Sequence, residues 1–228
     1  PKLPSLQVLK VTHCSVQDPQ TNLHFATKQL TELDLSSNRL TDIPKDIPQT
    51  VKILKLGGNS IKEFSGFSLK HLVNLDVLYL DNNKLHSIHP SFFSQHFVKS
   101  ASAQEFLPSL EKLALNNNQI RTIEPKSFAS LPSLRALNLA KNGLENVNKD
   151  MFHGLQNLEL LDLSQNAISV VNNNTFKNLK SLQYLYLRGN KLDFVPSGLP
   201  MMEYLDLSHN LIQAVNESVS KLDLYPIE

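Results

Sequence analysis

Three histidines that lie close together in the chain are the first candidates for chemistry, because imidazole binds metals and carries protons. His86 and His89 are three residues apart, and His96 follows seven residues later. A metal site of this kind needs a carboxylate or a cysteine at ligand spacing, and none completes the group. We therefore expect no metal and no other cofactor, and we interpret the histidines as polar loop residues.

Motifs of enzymes are otherwise missing from the sequence. It has no glycine-rich phosphate loop, no nucleophile elbow and no His-Glu-x-x-His helix. Its one cysteine, Cys14, excludes an internal disulfide and a cysteine-based zinc site. The 228 residues carry 22 Lys and Arg against 21 Asp and Glu, a net charge of +1, so no specific nucleic-acid binding is evident. No stretch is long and apolar enough to span a membrane. The expectation is a protein that is not an enzyme.

A repeated pattern, L-x-x-L-x-L-x-x-N-x-L, organises almost the whole chain. Leu134, Leu137, Leu139, Asn142 and Leu144 form one of nine copies. The Asn slot of the nine copies is filled by Cys14, Asn38, Asn59, Asn83, Asn118, Asn142, Asn166, Asn190 and Asn210. Such a repeat predicts a solenoid in which each Leu-x-Leu unit is a short strand of one parallel sheet. The Asn side chain can satisfy backbone groups of the turn that leaves the strand, and Cys14 can do this only weakly through its thiol.

The second half of the copies separates them into two kinds. Copies that recur after 24 residues, such as Asn118 to Asn142, end in an Ile/Val-x4-Phe-x2-Leu pattern. Two shorter copies carry prolines instead, at positions 44, 48, 196 and 200, which predicts extended rather than helical return segments. This combination resembles the leucine-rich repeats of animal extracellular proteins, and Toll-like receptor ectodomains in particular. The resemblance implies an α/β fold, a horseshoe-shaped solenoid with the parallel sheet on its concave face.

The predicted domain is one solenoid of about nine repeats over residues 1–228. The family commonly covers its ends with cysteine-rich caps, and the chain has none, so we expect it to be uncapped at both ends. It is then either a fragment of a longer ectodomain or a domain whose caps are unusual. One irregular step, from Asn83 to Asn118, places an insertion at 94–106. This insertion is either a structural element, such as a short helix against the coil, or a functional loop.

Side chains on either side of each central strand leucine are predicted to face solvent on the concave side, so their identity is free to serve binding. Four of the five tyrosines fall in these positions, and three of them lie on adjacent strands beside an arginine and a histidine. Because Tyr and Arg dominate binding hot spots, the predicted ligand-binding residues are Tyr79, Tyr184, Tyr186, Arg188, Tyr204 and His209. The alternative is that tyrosine is simply a good strand residue whose role is cross-strand packing.

Two further features of the sequence are weaker indications of function than the tyrosines. The first strands carry a cluster of mixed charge, which favours solvated strand faces over an anion site: Lys10, His13, Glu32, Asp34 and Lys55. Asn173 and Asn216 begin Asn-x-Ser/Thr sequences and are candidate N-glycosylation sites, although a chain this rich in Asn contains such sequences by chance.

These observations favour an extracellular, non-catalytic recognition module. The resemblance implies a receptor of innate immunity, secreted or part of a membrane receptor, which binds a protein or another macromolecule, microbial or endogenous, on its concave or lateral face. It leaves open whether the chain forms homodimers or heterodimers. The alternative is a secreted matrix or adhesion protein of the small proteoglycan or Slit type. A third class, an intracellular scaffold or enzyme regulator, is disfavoured by the Phe-containing repeats but not excluded by them.

Overall fold

Nine short parallel strands, one from each copy of the repeat, form the main sheet of the molecule. The computed structural model describes residues 3–17, 29–64, 66–93 and 107–213. The strands of the main sheet, in spatial order, are β1 (Val8–Lys10), β2 (Glu32–Asp34), β3 (Ile53–Lys55), β4 (Val77–Tyr79), β6 (Lys112–Ala114), β8 (Ala136–Asn138), β10 (Leu160–Asp162), β12 (Tyr184–Tyr186) and β13 (Tyr204–Asp206). The spatial order is the chain order, so each copy adds one strand beside the last. The predicted leucine-rich-repeat solenoid is confirmed.

The leucines of the pattern build one continuous core. The middle residue of every strand pairs in register with the middle leucine of its neighbour, as Leu137 does with Leu113 and Leu161. From Leu33 to Leu185 these central leucines have no exposed surface, whereas Leu9 and Leu205 are partly buried. A strand at either end of the described sheet has a neighbour on one side only, so its leucine is covered on one side only.

The asparagines form the predicted ladder beneath the turns. Asn83, for example, donates from Nδ2 to the carbonyl oxygens of Leu56 (3.0 Å) and Leu80 (3.2 Å), and its Oδ1 accepts from the Ile61 backbone N–H (3.0 Å). Each asparagine thus joins its own turn to the previous copy. In the first copy the Cys14 thiol donates to the Thr12 carbonyl oxygen (3.1 Å), a single bond in place of the asparagine set.

The residue before each ladder position has a left-handed backbone. The nine residues with φ between 53° and 69° at this position are His13, Ser37, Gly58, Asn82, Asn117, Lys141, Gln165, Gly189 and His209. Only two of them are glycine, the residue that adopts this conformation without strain. Asparagine and histidine also adopt it more readily than most residues. At Lys141 and Gln165, by contrast, residue type does not favour the conformation, and the hydrogen bonds between stacked copies hold it.

The return side carries four two-residue strands in two small parallel sheets. β5 (Ser87–Ile88) pairs with β7 (Thr122–Ile123), and β9 (Asn146–Val147) pairs with β11 (Val170–Val171). The phenylalanines of the 24-residue copies pack behind these strands, with Phe152 and Phe176 stacked at a ring-centroid distance of 6.1 Å.

Helix is scarce in the described part of the chain. It consists of two 3₁₀ helices, Gly66–Ser68 and Pro90–Phe92. The proline-bearing return segments at 43–48 and 195–200 are non-helical, as predicted. The predicted insertion at 94–106 and both chain ends, residues 1–2 and 214–228, lie outside the described residues.

Candidate functional site

The candidate site is the concave face at strands β10, β12 and β13. Two rows of side chains run across it, one on each side of the central leucines. Leu160, Tyr184 and Tyr204 form the first row, and the second row consists of Asp162, Tyr186 and Asp206. The strand register places the residues of each row side by side. This register is kept although the two repeat steps differ in length, 24 residues from Leu160 to Tyr184 and 20 residues from Tyr184 to Tyr204.

The three tyrosines of this face contact different partners. The rings of Tyr186 and Tyr204 lie on the diagonal between the two rows, 5.2 Å apart at an angle of 42°. The Tyr184 hydroxyl donates to Glu203 Oε2 (2.6 Å), and this hydrogen bond with the negative charge of Glu203 raises the Tyr184 pKa above 10.0. Tyr204 is 46% exposed, and it lies on β13, the last strand of the described sheet, which has a neighbouring strand on one side only.

Arg188 and His209 lie at the edge where the strands enter their turns. Arg188 Nη1 donates to Ser208 Oγ (3.0 Å), and both Arg188 and His209 are exposed. Burial alone would raise the pKa of the nearby Asp206. Hydrogen bonds from the Ser208 hydroxyl and backbone N–H, together with the charges of Arg188 and His209, outweigh the effect of burial. The Asp206 pKa is therefore lowered from its ordinary value. Asp206 is therefore ionised at neutral pH.

The structure brings five of the six predicted residues together. We name this group, Tyr184, Tyr186, Arg188, Tyr204 and His209, the tyrosine patch. Tyr79, the sixth, lies on β4, and three strands separate it from β12. At about 4.8 Å per strand this is a distance of about 19 Å.

Tyr79 belongs to a separate, more basic region of the same face. The Lys112 ammonium group lies over its ring, 5.5 Å from the centroid, and Lys55 is its in-register neighbour on β3. An open cavity of about 480 Å³ is lined by Lys55 and Tyr79 and continues towards Gly57 and Asp81. The Tyr79 ring is thus already in a cation–π contact within the chain.

The mixed charges of the first strands partly satisfy one another. Lys55 Nζ and Glu32 Oε1 form an ion pair at 2.7 Å, and this hydrogen bond raises the Lys55 pKa above 10.5 despite partial burial. Asp34 Oδ1 accepts from the Ser36 backbone N–H (3.0 Å). These contacts fit the interpretation of solvated strand faces.

One member of the histidine group, His89, contacts two neighbouring side chains. His89 Nδ1 pairs with Glu124 Oε1 (2.7 Å), and its Nε2 contacts the Ser87 hydroxyl (2.7 Å). His96 lies outside the described residues. Across the described ranges, no three His, Cys, Asp or Glu side chains are arranged to hold a metal ion.

The first candidate glycosylation site, Asn173, is exposed on the return side. Its Oδ1 accepts from the Ser197 hydroxyl (3.1 Å). Thr175, the hydroxyl residue of the same acceptor sequence, is buried and donates to the Asn172 carbonyl oxygen (2.6 Å). Asn216 lies outside the described residues.

Sequence reasoning missed two sets of polar contacts. The aspartates that follow the central leucines cap their own turns, since Asp162 Oδ1 accepts from the Ser164 backbone N–H (2.9 Å) and Asp206 Oδ1 does the same with Ser208 (2.9 Å). The signal was the repeated Asp-Leu-Ser. The second set, the Tyr184–Glu203 bond and the stacking of Lys112 on Tyr79, joins different copies and has no local signal.

The fold defines a repeat protein whose stacked strands expose one face of a parallel sheet. Sequence profiles of the leucine rich repeat family match residues 28–85, 98–144 and 132–192. The chain belongs to the leucine-rich-repeat family. Within the described residues, no helix has the length and apolar character needed to cross a bilayer.

Relatives of the chain include receptors and other extracellular proteins. Mouse podocan is 34% identical over 55% of this chain and 23% of its own length. Mouse Toll-like receptor 7 is 31% identical over 41% of this chain and 9% of its own length. The solved complex of TLR13 with ssRNA13 superposes with a TM-score of 0.71 at 27% identity, over 91% of this chain and 33% of TLR13. The chain thus spans less than a quarter of these curated relatives.

Proposed function

We propose that this chain is a non-catalytic extracellular recognition module, part of an ectodomain of the Toll-like receptor type. It binds a protein or another macromolecule, microbial or endogenous, through its concave face. The observation that carries the proposal is the tyrosine patch: three tyrosines on two adjacent strands with Arg188 at their edge, all accessible to solvent. Tyrosine and arginine contribute large contact area with polar tips and dominate binding hot spots.

The similarity to Toll-like receptor 7 and TLR13 supports the receptor class. Residues 1–228 then form one solenoid of about nine repeats, with the 94–106 segment as an insertion in one of them. In this class the role is innate immune recognition, and the chain is secreted or part of a membrane receptor. Dimerisation, with itself or with another chain, belongs to the same proposal.

The test compares the chain with a double variant, Tyr184→Ala with Tyr186→Ala, as bait for extracellular proteins from tissue fluid, quantified by mass spectrometry. Both side chains are half-buried on an open face, so the thermal melt by circular dichroism is expected to change little. At least one ligand retained by the original chain should be lost by the double variant. Val170→Ala is the matched control, because Val170 is 48% exposed on the return side. Identical retention by all three proteins contradicts the proposed surface.

Extracellular location has its own test at Asn173 and Asn216. Expressed in a secretory host, the chain should carry glycans that Asn173→Gln and Asn216→Gln each remove, as measured by intact mass. Because the Thr175 hydroxyl is buried in the fold, attachment at Asn173 is expected on the unfolded chain. Absence of any mass shift removes this support.

A second candidate function is a secreted matrix or adhesion protein of the small proteoglycan or Slit type. The similarity to podocan favours it. The full transcript distinguishes the two functions. A membrane span followed by a cytoplasmic signalling domain supports the receptor, and a secreted chain with flanking cysteine clusters supports the matrix protein.

A further inference from the structure

The tyrosine patch lies on an acidic part of the concave face. The residues in and beside strands β10, β12 and β13, at 158–163, 182–187 and 202–207, include no lysine and no arginine. They include four acids: Glu159, Asp162, Glu203 and Asp206. In β1 to β4 and β6, by contrast, Lys10, Lys55 and Lys112 lie within the strands.

Three of these four acids keep their charge uncompensated by an ion pair. Glu159 is paired with Arg135, from the copy before. Glu203 accepts from the neutral Tyr184 hydroxyl, and the aspartates accept from Ser164 and Ser208 through Oδ1. No hydrogen bond within the described residues uses the Oδ2 atom of either aspartate.

The positive groups nearest to these acids lie at the edge of the face. Arg188 donates to the Ser208 hydroxyl and forms no salt bridge with a carboxylate in the described structure. His209 is on the turn that follows Asp206. Three carboxylates outnumber the Arg188 guanidinium and the His209 imidazole together, so the surface keeps a net negative charge.

The aromatic rings of the same surface add a second preference. Tyr186 lies between Asp162 and Asp206 in register, and its ring contacts that of Tyr204. Tyrosine faces attract cations, and guanidinium groups in particular stack on them. Phosphate groups would be repelled by the same carboxylates. The face is therefore complementary to a cationic ligand and opposed to a polyanion.

From this complementarity we infer that the occupant of the tyrosine patch is a basic protein segment. An arginine or lysine side chain of the partner lies over the Tyr186 and Tyr204 rings, and its charge reaches Asp162 and Asp206. This inference rests on the proposed function, which supplies the surface, and it adds the chemical class of the ligand.

The experiment measures binding to the whole chain by fluorescence anisotropy with three labelled probes. These are a peptide of alternating Arg and Gly, a peptide of alternating Glu and Gly, and single-stranded polyuridylate. The Arg-Gly peptide should bind, with an affinity that falls severalfold between about 50 and about 200 mM NaCl because screening weakens charge pairs. The other two probes should not bind.

The deciding variant is Asp162→Asn combined with Asp206→Asn. Asparagine keeps the Oδ1 acceptor for the serine hydrogen bonds, so the fold is preserved while two charges are removed. The affinity for the Arg-Gly peptide should fall about tenfold. Asp34→Asn is the matched control, because Asp34 caps its turn in the same way on the distant β2. The affinity of this variant for the Arg-Gly peptide should equal that of the original chain.

Each contrary result has a defined meaning. Polyuridylate binding, absence of Arg-Gly binding, or equal loss of affinity in the Asp34→Asn control overturns the inference. Peptide binding that requires Tyr184 and Tyr186 but survives the double aspartate change also overturns it and leaves the tyrosine patch of the proposed function standing. The bait experiment above tests that function independently of the peptide.

Discussion

The ring of Tyr186 contacts the ring of Tyr204, although the residue opposite Tyr186 in the strand register is Asp206. The contact runs along the diagonal between the two rows of the sheet. Diagonal neighbours in a sheet are within reach of aromatic side chains. The result is an aromatic pair flanked by carboxylates, and this combination, rather than any single tyrosine, distinguishes the patch from the rest of the concave face.

The bond between Tyr184 and Glu203 predicts an unusual titration. The Tyr184 pKa is raised, so the folded chain keeps this proton to a higher pH than the unfolded chain does. The bond therefore stabilises the fold below pH 10.0, the ordinary tyrosine value, and this contribution is lost as the pH rises through the folded-state pKa. The ultraviolet tyrosinate signal assigned to Tyr184, by difference from Tyr184→Phe, should shift to lower pH in Glu203→Gln. Glu145→Gln, at an exposed residue just before β9, should leave the Tyr184 signal unchanged, and a shift in that control contradicts the assignment.

The asparagine ladder predicts a large loss of stability at a single position. Asn83 is 6% exposed, and its removal in Asn83→Ala leaves the buried Ile61 N–H without its acceptor. The expected loss in the free energy of unfolding is about 2–3 kcal/mol, measured by urea denaturation. Asn146→Ala removes an exposed asparagine of β9 and should cost less than about 0.5 kcal/mol. Equal losses in the two variants are incompatible with a structural ladder.

Close packing between adjacent return segments predicts that Gly154 cannot be replaced. Its φ is +94°, and a Cβ atom there would lie 2.7 Å from the Ala129 Cα, a backbone atom that cannot move aside cheaply. Gly154→Ala should lower the unfolding free energy by about 2 kcal/mol or more. Gly143→Ala is the control, since its nearest neighbour is the flexible Arg121 side chain at 3.1 Å. A melting temperature of Gly154→Ala equal to that of Gly143→Ala contradicts the packing described.

The first ladder position predicts a tolerated substitution. Cys14 is exposed and makes one weak side-chain hydrogen bond, to the Thr12 carbonyl oxygen. In Cys14→Asn the amide can make the bonds that the other asparagines make within their own turns, here to the Val11 and Thr12 carbonyl oxygens, but no earlier copy is described for it to join. Stability should therefore be equal or higher by about 0.5 kcal/mol. Urea denaturation with Cys14→Ala as reference provides the comparison. A Cys14→Asn chain less stable than Cys14→Ala argues that the first copy does not follow the ladder.

The repeated part of the structure could be predicted because the same sequence pattern recurs in nine copies. Leu-x-Leu alternation determines which side chains are buried, and the fixed position of Asn relative to the leucines determines the turn. One copy of the pattern, such as Leu134 to Leu144, is sufficient to predict the buried residues and the turn of that copy, since each copy contacts only its neighbours. The register of nine strands and the exposure of Tyr184 and Tyr204 follow from the same alternation.

Contacts between copies depend on which strands become neighbours, and no local pattern encodes their side-chain geometry. The length of each return segment could be counted, but the rotamers that join Tyr184 to Glu203 or Lys112 to Tyr79 form only when the strands are stacked. The left-handed turn at Lys141 is similar, because stacking imposes a backbone that its residue type does not favour.

The sequence by itself determined the solenoid, its core and the set of residues exposed on the concave face, because burial and alternation are local properties repeated at each copy. Only the tertiary structure decided which of those side chains contact one another. It brought the Tyr186 ring against the Tyr204 ring on the diagonal, and it joined the Tyr184 hydroxyl to Glu203 and the Lys112 ammonium group to the Tyr79 ring. The physical reason is that charge and ring contacts act through space between copies, at distances that the order of residues along one copy does not specify.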